Sequence, residues 1–80
     1  MSATSVTPEV TNLKRRKGMA GQFSVEVTVT HPGEEPRIIE FVGSEYGGPV
    51  LMVTQYGQTF VTDPGRFGTF GEDWVRKFFQ

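Results

Sequence analysis

Between Gln22 and Thr30 apolar and polar residues alternate without a fault, with Phe23, Val25, Val27 and Val29 on one side and Ser24, Glu26, Thr28 and Thr30 on the other. A period of two predicts a strand with one face buried and one in water, as in an antiparallel sheet covered on a single side. Two prolines and a glycine in His31-Pro32-Gly33-Glu34-Glu35-Pro36 predict a turn. A second strand follows over Arg37 to Val42, with Ile39 and Phe41 on one face and Ile38, Glu40 and Val42 on the other. Gly43-Ser44-Glu45-Tyr46-Gly47-Gly48-Pro49 is the next loop.

The stretch Pro49 to Asp63, PVLMVTQYGQTFVTD, holds the densest apolar content and predicts a β-hairpin. Val50 and Met52 face one side and Leu51 and Val53 the other, so its first strand is apolar on both faces, as suits a central strand. Tyr56-Gly57 breaks the run, and Gln58 to Thr62 resume it with β-branched and aromatic residues. Asp63-Pro64-Gly65 ends the second strand, because Pro64 has no amide hydrogen to give a ladder.

After Gly65 the spacing becomes helical. Trp74 and Phe78 lie four apart, as do Val75 and Phe79, and Thr69 with Glu72 three residues on predicts a capping box. Arg76 and Lys77 fall near the C-terminal end, where they complement the helix dipole. A helix of about ten residues does not persist alone in water, so it is expected to dock on the apolar face of the sheet. The fold class is therefore mainly β (α+β): a four-stranded antiparallel meander, or a small open barrel, with one C-terminal helix packed on it.

Residues 1–20 show neither period and carry Pro8, a basic run and Gly18, with Gly21 just beyond. They are expected to form a flexible basic tail whose removal leaves the fold intact, with residues 21–80 as the single domain. Lys14, Arg15, Arg16 and Lys17 contribute +4 to a net charge of −1, so the rest of the chain sums to −5 and the folded body is expected to be acidic. With no cysteine, disulfides and thiolate metal sites are excluded. No apolar run approaches the ~18 residues of a membrane span and no secretory leader is visible, which points to a cytoplasmic protein without a membrane partner.

Candidate chemistry is sparse. His31 is the only histidine and falls in a turn, while Glu34-Glu35 and Glu72-Asp73 are carboxylate pairs by sequence alone. Neither supplies the fixed acid, base and nucleophile an enzyme needs, so no catalytic residue and no cofactor is expected. One histidine without cysteine argues against zinc, and the acids lack calcium-loop spacing. The Gly43 to Gly48 loop lacks the Lys-Ser/Thr end of a phosphate loop, and Glu72 and Asp73 oppose an anion near Gly65 to Gly71.

Val61-Thr62-Asp63-Pro64-Gly65-Arg66-Phe67-Gly68-Thr69-Phe70-Gly71-Glu72-Asp73-Trp74-Val75-Arg76-Lys77-Phe78-Phe79 resembles the C-terminal stretch, D-P-x-R-F-G-x-F-x-x-x-W-V-R-x-F, of small uncharacterised proteins from phages of actinobacteria. That resemblance covers roughly a quarter of the chain and implies an accessory protein acting inside a bacterial host. Independently of it, seven Phe, two Tyr and one Trp exceed what one helix and one sheet face readily hide. The expected function is a non-catalytic accessory or adaptor domain that binds a protein partner, either a bacterial host protein or a second copy as a homodimer. Tyr46, Tyr56, Phe67 and Phe70 are the candidate contact residues, together with a sheet edge, the alternative for Phe67 and Phe70 being that they plug the end of the core. The alternative is weak, sequence-independent nucleic-acid binding through Lys14, Arg15, Arg16 and Lys17.

Overall fold

The computed structural model of the protein describes residues 7–80. Strands β1 (Glu9–Lys17), β2 (Gln22–Thr30), β3 (Arg37–Ser44), β4 (Leu51–Thr54) and β5 (Gly57–Phe60) are followed by a 3₁₀ turn (Pro64–Phe67) and helix α1 (Glu72–Phe78). The strands form one antiparallel sheet in the order β1-β2-β3-β4-β5, an open meander with an edge at β1 and another at β5. It has five strands where the residue pattern predicted four. The expected second strand and hairpin are present as β3 to β5, although the hairpin turn is Gln55-Tyr56 and pairs Thr54 with Gly57.

The added strand is β1, so the flexible tail expected over residues 1–20 is corrected over Glu9–Lys17, while residues 1–6 of that expectation lie outside the described residues. Val10 pairs with Val29 and Thr11 with Thr28, but the next pair is Lys14 with Glu26, leaving Asn12 and Leu13 together opposite Val27. This is a β-bulge, and Asn12 takes a left-handed φ of 53° that asparagine tolerates better than most residues. The bulge places Val10 and Leu13, three apart in sequence, on the same face. An unbroken strand would have set them on opposite faces, which is why β1 shows no period of two. Gly18 and Gly21 belong to the β1–β2 turn, where the Gly18 amide donates to the Gln22 carbonyl across 2.9 Å.

Phe23, Val25, Val27 and Val29 of β2 are all buried, as their alternation predicts. They share the core with Phe41, Val50, Phe70, Trp74 and Val75, and Val10, Leu13, Ile39 and Met52 pack around them. No polar or charged residue is buried among the described residues, so the interior needs no internal hydrogen-bond network.

Helix α1 lies on this face through aromatic rings. Phe41 meets the rings of Trp74, Phe78 and Phe79 edge-on, with centroids 5.5, 5.2 and 5.8 Å away. Edge-to-face pairs set the positive rim of one ring against the negative face of another and add stabilisation beyond area burial. The helix is shorter than expected, and its N-cap is Gly71 with no side-chain cap bond, so the Thr69–Glu72 capping box does not form. Glu72 and Asp73 still occupy the first turn and Arg76 and Lys77 the last, which suits the helix dipole.

Candidate interaction surface

Among the described residues, the helix covers one face of the sheet and the other stands open. Val42 of β3 lies opposite Leu51 of β4, and Leu51 opposite Phe60 of β5, so these three make an apolar row across neighbouring strands on the open face. Val53 stands in the next row between Glu40 and Gln58. Val42, Leu51 and Val53 are half-buried by their neighbours, whereas Phe60 and Ile38 stand 68% and 64% exposed. Towards β1 the same face turns polar: Lys14 pairs with Glu26, Glu26 with Glu40, and Arg16 with Ser24. The open face thus has a mainly apolar half over β3 to β5, interrupted by Glu40 and Gln58, and a charged half over β1 and β2.

The two edges differ as sharply. β1 carries a bulge and four consecutive cations, both of which discourage another strand from pairing there. β5 carries neither, and no Asp, Glu, Lys, Arg or His occurs from Pro49 to Thr62. Its hydrogen-bonding phase follows from the register. The Val61 amide donates to the Val50 carbonyl across 2.8 Å, and the strand pairs step back through Thr59 with Met52 to Gly57 with Thr54. Alternate residues in an antiparallel pair point their amides and carbonyls to opposite sides. Gln58 and Phe60 therefore direct both backbone groups outward, away from the sheet.

The four candidate contact aromatics do not form one patch. Tyr46, 84% exposed, sits in the loop before β4, and Tyr56, 78% exposed, in the turn after it, at opposite ends of that strand. The Tyr46 amide donates to Ser44 Oγ and the Tyr56 amide to Thr54 Oγ1, each across 3.1 Å, so both rings stand on side-chain-braced loops. Phe70 is in the core, 4.9 Å from Phe23 and 5.2 Å from Trp74 by ring centroid. Phe67 is half-buried and edge-on to Trp74 at 5.4 Å and to Phe78 at 5.6 Å. Phe70 thus closes the end of the interior, and Phe67 lies half-buried beside it.

The basic run is ordered as part of an edge strand, and strand geometry divides it. Lys14 and Arg16 share the open face with Glu26 and Ser24, while Arg15 and Lys17 lie on the helix side, opposite Val25 and Phe23. Arg15 sets its guanidinium 3.9 Å from the centroid of the Phe23 ring, a cation–π contact that also covers an end of the core.

An open groove of about 590 Å³ lies beside the β3–β4 loop, walled by Ser44, Tyr46 and Pro64 and floored by Val50, Phe70 and Trp74. The Trp74 Nε1–H is already given to the Pro64 carbonyl. His31 is half-buried in the β2–β3 turn, Glu34 pairs with Arg37 at 3.1 Å, and Asp73 pairs with Arg76 at 3.2 Å. Among the described residues no three His, Cys, Asp or Glu side chains gather where they could hold a metal ion. No helix among them is long and apolar enough to cross a membrane.

Ile38, Val42, Leu51 and Val53 were not candidates from the residue pattern. The signal was present in the apolar residues on both faces of β3 and β4, which one short helix cannot cover. No protein-family model, curated protein or solved structure matches the chain.

Proposed function

We propose that this protein is a non-catalytic accessory domain that binds a protein partner through the open sheet face and the β5 edge. The observation that supports this is the uncovered apolar half of the sheet, where Ile38 and Phe60 stand in solvent beside Val42, Leu51 and Val53. Apolar side chains grouped next to free backbone groups offer a partner both burial and strand pairing. Tyr46 and Tyr56 add two exposed aromatic rings in the loops at either end of β4. The resemblance of the C-terminal stretch to actinobacterial phage proteins favours a bacterial host protein in the cytoplasm as that partner.

The test is capture from such a host by the intact protein and by two variants. Phe60→Ser combined with Ile38→Ser should abolish recovery of a specific protein, and Lys14→Ala with Arg16→Ala should leave it. Equal recovery by all three would remove the open face from the account.

A second function, weak sequence-independent nucleic-acid binding, draws on the placement of Lys14, Arg15, Arg16 and Lys17 along one edge strand. Their division between two faces limits how many phosphates one strand of nucleic acid can meet at once. An NMR titration with DNA separates the two functions. Shifts confined to residues 12–18 and erased by moderate salt would favour nucleic acid, and an unchanged spectrum would exclude it.

A further inference from the structure

We infer that β5 pairs with β5 of a second copy, antiparallel and about a two-fold axis through Thr59, to give a continuous ten-stranded sheet. The inference rests on the protein-binding function proposed above and assigns its edge a specific occupant. Outward backbone groups on Gln58 and Phe60 fit themselves: with Thr59 opposite Thr59, Gln58 of each copy meets Phe60 of the other. Each of those two pairs exchanges two hydrogen bonds, so all four outward amides and carbonyls per interface edge are satisfied.

Charge and side-chain geometry agree with the same register. The segment from Pro49 to Thr62 has no acidic or basic side chain, so it meets its own copy without like-charge repulsion. Thr59 pairs with Met52 and is exposed. It would face its counterpart in a non-hydrogen-bonded pair, where side chains come closest. The two Phe60 rings become diagonal neighbours on the open face, within reach of each other, and the apolar rows of the copies adjoin. Pairing of β5 with the other edge is opposed by the bulge and cations of β1, so the assembly closes at two copies.

A four-residue edge buries far less than the ~1,200 Å² of a stable interface, and the dimer is accordingly a weak one. Sedimentation should show the mass rising from 8.9 kDa towards twice that value as the concentration reaches roughly 0.1 to 1 mM. Over the same range the Gln58 and Phe60 amides should gain protection from hydrogen exchange, and mixed labelled and unlabelled protein should give a Thr59–Thr59 contact between chains. Thr59→Lys and Thr59→Glu should each be monomeric, and an equimolar mixture of the two should restore dimers, because only self-opposition places the new charges face to face. A protein that stays monomeric to ~1 mM, or dimers that both variants leave intact, would overturn the pairing. Loss of the self-pairing with face-dependent host capture retained removes this inference alone, whereas loss of that capture with dimers retained removes the host-directed function.

Discussion

The indole nitrogen of Trp74 donates a hydrogen bond to the Pro64 carbonyl across 2.7 Å, tying helix α1 to the 3₁₀ turn ten residues before it. The ring itself is buried, stacked on Phe78 and edge-on to Phe41, Phe67 and Phe70. Trp74→Ala should cost about 3 to 5 kcal/mol, enough to unfold a domain this small. Trp74→Phe keeps an aromatic ring but loses the bond, and should cost less than Trp74→Ala. Thermal melts of both variants check the order; an unchanged curve for Trp74→Ala would disprove the docking of the helix.

Gly43 is required by the ring that lies on it. A Cβ at this position would stand 2.9 Å from Cδ2 of Phe70, which is itself buried against Phe23 and Trp74 and has little room to shift. Gly43→Ala is expected to destabilise by about 1 to 3 kcal/mol, the usual range for overpacking. Pairing it with Phe70→Leu should recover part of that loss in a double-mutant cycle, and strict additivity would show that the two positions do not interact.

The bulge at Asn12 can be tested through its backbone. Asn12→Gly should be close to neutral, since glycine takes a positive φ freely, whereas Asn12→Val should lose about 1 to 3 kcal/mol by forcing a β-branched residue into the left-handed region. Deleting Asn12 should be worse than either. It moves Val10 and the residues before it to the open face, because each step along a strand reverses the side-chain direction.

Deletion of residues 1–17 removes β1 and uncovers the flank of β2. Val10 and Leu13 pack against the core and Arg15 covers Phe23, so the shortened chain should lose cooperative unfolding. Circular dichroism melts would show it, and a sharp transition near that of the full chain would demonstrate that the strand is dispensable.

What could be read from the residues depended on whether the local period was intact. Phe23 to Val29 alternate without interruption and their strand was legible, as was the helix from the four-residue spacing of Trp74 and Phe78. β1 was hidden because Asn12 shifts the phase between Val10 and Leu13, and because four cations in a row resemble a solvated tail. Thr69 and Glu72 have the spacing of a capping box, but Gly71 occupies the N-cap position, which spacing alone does not reveal. Of the candidate contact residues, Tyr46 and Tyr56 are exposed, as their loop positions suggest, whereas the burial of Phe70 depends on a gap at Gly43 that spacing does not reveal.

Trp74 is the sole tryptophan, and it sits in the seam between helix and sheet with the Phe78 ring 5.5 Å away and inclined by only 13°. Its emission is therefore a built-in optical gauge of that seam: blue-shifted while the helix is seated and red-shifted once water reaches the indole. Folding rates, melting curves and the consequences of every substitution above can be followed from this one chromophore without attaching a dye.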